Sequence, residues 1–255
     1  MNFLNYLLLQ FRLFKYSYGF FLISALIKRN SLLKVGQKYI SKGDVVLDIG
    51  ANNGGSTLLL SALVGKNGVV HAFEPNSRIA QQLLCYEQLN LYKNINAILI
   101  GIGSSDSPGK FYIDNRPGSQ ASTFNSLHKD NEISINNACY EEIFAEVKML
   151  DSLIFERVNF IKVDVEGLEL EVFQGAINTI REFKPIIYFE CFFNDTNSEM
   201  LKKKLFISNF FEQLNYRLDI VECFTDHTIV NCNDINLSHM IFEQNIGCEL
   251  LALPN

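Results

Sequence analysis

Several acidic residues of this chain fall where apolar runs stop, the places at which a folded strand can present side chains to a ligand. Asp44-Val-Val-Leu-Asp-Ile-Gly50 carries Asp48 and continues as Ala-Asn-Asn-Gly-Gly55. Glycines at 50 and 54 permit a tight turn and a close backbone approach to a ligand. A helix starting after that turn aims N–H groups and a positive dipole end at the ligand, which favours a carboxylate or a phosphate. The next apolar run, from Val69, ends at Glu74. An acid roughly 20 residues past the first glycine is placed to accept hydrogen bonds from the two hydroxyls of an adenosine ribose.

The densest cluster is Phe160-Ile-Lys-Val-Asp-Val-Glu-Gly-Leu-Glu169. Along an extended strand Lys162, Asp164 and Glu166 point the same way. Charges ending an apolar strand are costly unless paired, hydrogen-bonded or ligated. A Lys162–Asp164 pair is the structural explanation, and it leaves Glu166 and Glu169 unaccounted for. Glu190 adds an acid at the end of the run from Pro185. Carboxylates that share a crevice raise one another's proton affinity, which suits a general base for a hydroxyl or a divalent-cation site. The sequence does not require the cation. His128 is a rival base, although a solvated side chain is the simpler account of a loop histidine.

Two cofactors could use the first turn. A dinucleotide loop wants G-x-G-x-x-G, whose second glycine leaves room for a pyrophosphate, and Asn52 stands at that place here. Asparagine obstructs a pyrophosphate but tolerates the smaller aminocarboxylate end of S-adenosylmethionine. A glycine-rich turn alone is equally well explained as a plain strand-to-helix connection. Asp48, the Gly-x-Asn-x-Gly turn and Glu74 in combination favour the ligand.

To bring these side chains together the chain must alternate strands and helices, and its text does so from Asp44 onward. Short apolar runs at 44–50, 69–74, 95–102, 160–164 and 185–190 read as parallel strands covered on both faces. Amphipathic stretches from Ser56 to Val64 and after Pro75 read as helices between them. A helix near 198–214 and strands near 216–221 and 248–253 complete the chain. Ligands of such sheets sit at the strands' carboxyl ends. The interval from about Lys110 to Val147 breaks the rhythm with Pro, Gly, Ser and Asn, and reads either as a lid over the site or as a surface insertion. Residues 3–27 are apolar but interrupted by Arg12 and Lys15, too short a run to span a bilayer. They read as a helix capping a domain edge, with contact to a membrane or a partner protein as the alternative.

Composition excludes other classes. With 255 residues, 48% hydrophobic and 20% charged, the chain is neither disordered nor fibrous, and one large domain accommodates it. The net charge of −6 argues against nucleic acid as a partner. Six scattered cysteines without a C-x-x-C pair fit a reduced, cytoplasmic setting.

Val46-Leu-Asp-Ile-Gly-Ala-Asn-Asn-Gly54, Phe73-Glu-Pro-Asn76, Ile161-Lys-Val-Asp-Val-Glu-Gly-Leu-Glu169, Gly175-Ala176 and Lys184-Pro-Ile-Ile-Tyr-Phe-Glu190 resemble, in order and spacing, the FkbM family of S-adenosylmethionine-dependent methyltransferases. The resemblance implies an α/β, Rossmann-like class I methyltransferase fold, a seven-stranded, mostly parallel sheet with helices on both faces and the last strand antiparallel. Residues 1–40 would be an N-terminal helical extension and 41–255 the methyltransferase domain. It also implies O-methylation of a sugar, glycan or natural-product hydroxyl. On this basis Asp48, Gly50, Asn52, Gly54, Thr57 and Glu74 are cofactor contacts, and the adenine lies near Gly103 and Ser104. Asp164, Glu166, Glu190 and Lys162 are the catalytic candidates. The rival readings are a nicotinamide-dependent sugar-modifying enzyme and a non-catalytic adaptor docking through residues 3–27 on a membrane or a glycan-assembly partner.

Overall fold

The computed structural model describes residues 30–114, 123–125, 140–193, 198–225, 228–230 and 246–255. Residues 3–27 and His128 lie outside the described residues. The strands are β1 (Val45–Ile49), β2 (Val69–Phe73), β3 (Ile95–Ile98), β4 (Gly101–Ile102), β5 (Ser107–Asp114), β6 (Thr123–Asn125), β7 (Tyr140–Lys148), β8 (Phe160–Val163), β9 (Ile186–Phe193), β10 (Tyr216–Thr225), β11 (Thr228–Val230) and β12 (Ile246–Pro254). The α-helices are α1 (Asn30–Tyr39), α2 (Gly55–Val64), α3 (Ala80–Leu89), α4 (Glu169–Gln174), α5 (Ile177–Phe183) and α6 (Ser198–Gln213).

The main sheet has the order β11-β10-β12-β9-β8-β1-β2-β3. From β3 to β9 every pairing is parallel, and β12 inserts antiparallel between β9 and β10. The seven strands therefore take the expected arrangement with the last one reversed, and β11 adds a short eighth at the edge.

Helix α2 shows why this order is stable. Every residue from Ser56 to Val64 is buried, as a helix apolar on all sides must be. Leu59, Leu60 and Leu63 pack with Leu32 and Val35 of α1 over Val46 and Val70 of the sheet, and Leu58 and Ala62 pack with Leu83 and Tyr86 of α3. On the opposite face Phe173, Phe189, Phe210 and Phe211 form a ring-on-ring cluster with centroids 5.0–5.8 Å apart. Aromatic pairs of this kind contribute roughly 0.5–1.5 kcal/mol each beyond their burial.

Four expectations need correction. The run 95–102 is two strands, because the backbone leaves the main sheet after Ile98 and Gly101–Ile102 pair with β7 instead. The described parts of 107–148 are β-sheet, in a second sheet of order β4-β7-β5-β6. Strand β9 continues past Glu190 to Phe193, because β12 pairs with it as far as Ile246. Strand β8 stops at Val163, so the alternation expected through Glu166 is broken.

Candidate functional site

Register places the predicted residues in two rows across the carboxyl edge of the main sheet. Ala72, Asp48, Lys162 and Tyr188 stand side by side on β2, β1, β8 and β9. Two residues further on, and therefore on the same face, come Glu74, Gly50, Asp164 and Glu190, and Glu190 is paired with Glu249 of β12.

The lower row is internal. Asp48 is fully buried and accepts hydrogen bonds from Thr57 Oγ1 at 2.7 Å and Ser56 Oγ at 3.4 Å. Lys162 Nζ lies 3.1 Å from Asp48 Oδ1, 3.2 Å from Asp164 Oδ2 and 3.2 Å from the Gly50 carbonyl. An ammonium has three donors, enough to serve all three of these oxygens. The expected Lys162–Asp164 pair is thus present, and the same lysine neutralises Asp48, whose burial without a partner would be costly.

Above it lies the turn. Gly50 has φ +76°, and a Cβ there would lie 1.9 Å from the Asp164 carbonyl oxygen, so the end of β8 itself demands glycine. Asn52 sits in the left-handed region at φ +52°, which asparagine tolerates better than most residues. Its Oδ1 accepts the Asn53 N–H at 2.7 Å, and Asn53 Oδ1 accepts the Gly55 N–H at 3.2 Å, so both side chains brace the turn. A Cβ on Gly54 would meet the Tyr86 ring at 2.7 Å.

Glu74 joins this turn to the loop after β2. Its Oε2 accepts the Asn52 N–H and its Oε1 the Asn76 N–H, both at 2.9 Å. Burial raises the proton affinity of this carboxyl, and the two amides and Lys162 oppose the rise. An ionised carboxylate offers about four acceptor positions. Two are taken by these amides, which leaves capacity for the hydroxyls of a ligand.

The Glu74 amide donates to the Ile98 carbonyl at 3.1 Å, and Ile98 also accepts from Ile100, so Ile98–Ile100 is the segment bonded alongside Glu74. Gly103 lies beyond the crossing into the second sheet. Its N–H donates to the Lys148 carbonyl at 3.0 Å, and its own carbonyl is where a Cβ on Gly175 would fall. Ser104 is exposed. The second sheet is fastened to the Glu74 loop by a two-pronged Arg78–Glu141 ion pair.

Beyond Val163 the backbone turns left-handed at two consecutive residues, Glu166 at φ +53° and Gly167 at φ +96°. Glu166 is therefore carried to the exposed rim and does not follow Lys162 and Asp164 in direction. Glu169, five percent exposed, accepts the Gly167 N–H at 3.1 Å and so closes this turn from below. Burial, aided by the charges of Asp164 and Glu166, pushes its carboxyl up to about 7 against the pull of the Gly167 and Glu169 amides. Glu190 is raised further, to about 8, by burial and then by Asp164, Glu166 and Glu249, with Lys162 opposing. No group of three or more His, Cys, Asp or Glu among the described residues is placed to hold a metal ion. Among them, too, no helix is long and apolar enough to cross a membrane.

The family model for the methyltransferase FkbM domain matches residues 48–218. The chain belongs to the FkbM methyltransferase family. Among solved structures, methyltransferase FkbM from Methylobacillus flagellatus is 19% identical with a TM-score of 0.51, the alignment covering 84% of this chain and 44% of that one. This FkbM-family chain thus spans less than half the length of that relative. A protein from Clostridium thermocellum assigned as an rRNA methylase is 16% identical with a TM-score of 0.50, covering 88% and 93% of the two chains. At these identities the likeness is one of fold. No curated protein sequence matches the chain.

One acid of the edge escapes sequence reasoning, and so does the setting of another. Glu169 is visible as an acid three places beyond Glu166, yet its burial depends on the left-handed turn. Glu249 stands in an apolar strand, and only the pairing of β12 with β9 sets it against Glu190.

Proposed function

We propose that this FkbM-family chain transfers a methyl group from S-adenosylmethionine to a hydroxyl of a sugar, glycan or natural-product acceptor. The observation that supports it best is Glu74, a buried carboxylate clamped by one amide from each of two loops and retaining acceptor capacity beside a glycine turn. When bound, S-adenosylmethionine supplies an electrophilic methyl on a sulfonium. Glu74 accepts the ribose hydroxyls, and the turn containing Gly50, Asn52 and Gly54 receives the aminocarboxylate end. Asp48, Thr57 and Lys162 hold that turn from beneath. Ile98 to Ile100, leading to Gly103 and Ser104, flank the adenine.

On the acceptor side Glu190 takes the hydroxyl proton, a role that suits a carboxyl titrating close to the working pH. Asp164, pinned by Lys162, and Glu166 at the rim orient the acceptor. Alignment and exclusion of water supply the larger share, since well-placed reactants account for about 7–11 kcal/mol of barrier lowering. Residues 3–27 offer a second contact, with a membrane surface, which comparison of liposome pelleting by the full chain and by a chain lacking 1–29 would reveal.

Calorimetry of the folded chain with S-adenosylmethionine and S-adenosylhomocysteine tests the cofactor assignment. Binding is expected, weakened about 10–100-fold in Glu74→Gln by loss of charge-assisted hydrogen bonds. Absence of binding overturns the assignment. A panel of alcohols and amines with labelled cofactor tests the acceptor, and label found only on nitrogen refutes O-methylation.

A further inference from the structure

Glu190 and Glu249 are directly opposed across the antiparallel β9–β12 pair. Opposed residues in such a pair have Cβ atoms about 4.5–5.5 Å apart, and like charges placed so are destabilising. Both glutamates are half-buried, so water screens them less than it would at the open surface. The charges that act on Glu190 are those of Asp164 and Glu166 beyond the end of β8, Lys162 of β8 and Glu249 of β12, three carboxylates against one ammonium already shared with Asp48. Two carboxylates coupled across such a pair lose their protons in sequence.

Glu249 is also fixed in place. The Tyr188 hydroxyl lies on the same face of β9, two residues before Glu190, and is hydrogen-bonded both to Glu249 and to Ser31 of α1, the latter at 3.2 Å. A phenol has one proton. If it is donated to Glu249, the contact with Ser31 is one in which serine donates. The resulting chain, Ser31 to Tyr188 to Glu249, favours the ionised form of Glu249 and leaves the proton of the pair on Glu190.

We propose that Glu249 is a positioning residue that shares one proton with Glu190, so that the acid–base group of this site is a carboxyl dyad assembled from β9 and β12. The proposal rests on the methyl-transfer reading only for what the dyad does. One member comes from inside the family match and the other from beyond its end at residue 218. The high proton affinity of Glu190 agrees with the sharing. As pH rises the dyad loses its shared proton, and in that fully ionised form it receives the proton of the acceptor hydroxyl back into the shared position.

The test is a carboxyl titration of the full chain by infrared spectroscopy with isotopically labelled glutamate, so that no acceptor is needed. A protonated carboxyl persisting above pH 7 and absent from Glu190→Gln identifies Glu190 and separates it from Glu169. In Glu249→Gln that carboxyl is expected to titrate about one pH unit or more lower. Tyr188→Phe, which leaves both carboxyls of the dyad in the chain, is expected to shift it upward by removing a donor to the ionised dyad. Opposite shifts from the two variants are not the signature of a general loosening, and Tyr188→Phe keeps the test open if Glu249→Gln fails to fold. A titration unmoved in folded Glu249→Gln, or in Tyr188→Phe, overturns the dyad. Calorimetry with S-adenosylhomocysteine on the same samples keeps the two readings apart. Shifts without binding sink the methyltransferase reading alone, and binding without shifts sinks the dyad alone.

Discussion

Glu169→Gln should make the protein more stable, and only at high pH. The wild-type carboxyl moves from 4.5 to about 7 on folding, chiefly through burial. Between those values the folded chain holds more protons than the unfolded one, so this group removes stability as pH rises from 4.5 and has removed its full share above about 7. A shift of this size corresponds to about 3 kcal/mol at 1.36 kcal/mol per pH unit. Glutamine is neutral at every pH, nearly isosteric, and its carbonyl can still accept the Gly167 N–H that Glu169 accepts at 3.1 Å. Urea unfolding at pH 5 should therefore find variant and wild type within about 1 kcal/mol, and at pH 8 the variant ahead by about 3 kcal/mol. Glu190 contributes with the same sign between 4.5 and about 8, and its share cancels in the difference between the two proteins. A stability difference that is the same at pH 5 and pH 8 would refute the reasoning, because it would mean that Glu169 does not change its proton affinity on folding.

Lys162→Met strands Asp48 without its counter-charge and should cost about 3–5 kcal/mol in denaturant melts, part of it recovered on adding Asp48→Asn. Absence of any recovery would show that the lysine acts through packing and not through charge. Gly175→Ala places a Cβ 1.9 Å from the Gly103 carbonyl at an ordinary φ of −81°, and should cost about 1–3 kcal/mol by crowding alone. Gly50→Ala meets the same 1.9 Å approach at φ +76° and should cost about 1–2 kcal/mol more, so equal melting losses would count against the conformational share. Single-turnover methyl transfer, once an acceptor is found, should accelerate as pH rises through about 8, where Glu190 loses its proton, and a profile unchanged in Glu190→Gln would remove it as the base.

The parallel core is legible in the sequence because β1, β2 and β8 are short, mostly apolar runs that stop at an acid or a glycine, and β9 is apolar on both sides of Glu190. Both of their faces are covered, and the polar residues within them, Asp48, His71, Lys162 and Glu190, are too few to impose an alternating pattern. The second sheet is not legible for the opposite reason. In β7 the apolar residue Phe144 points outward, 71% exposed, and falls on the face of Glu142 and Glu146, which spoils the alternation that marks a half-buried strand. The split after Ile98 is hidden because Ala97 to Ile102 carries no polar side chain, and a change of sheet leaves no mark on polarity. At the site, residue types are readable and directions are not. Glu166 looks like the next tooth of an extended comb until Gly167, also left-handed, turns it outward.

The two rows explain why so many acids can gather at one sheet edge without unfolding it. Two residues of strand separate them, roughly 7 Å. In the lower row Asp48 and Lys162 cancel, and the lysine is long enough to reach past that row to Asp164 and the Gly50 carbonyl. One buried cation thus stabilises the turn, the first strand and the end of β8 together. The upper row has no such counter-charge of its own. Its members are kept apart by chemistry: Glu74 is held by amides, Asp164 by the lysine, and Glu190, like Glu169 beneath the turn that follows β8, by remaining protonated until pH rises. The same arrangement that keeps the edge folded near neutral pH leaves two carboxyls titrating close to it, so the acids that lower stability as pH rises are also the ones whose protons can be moved.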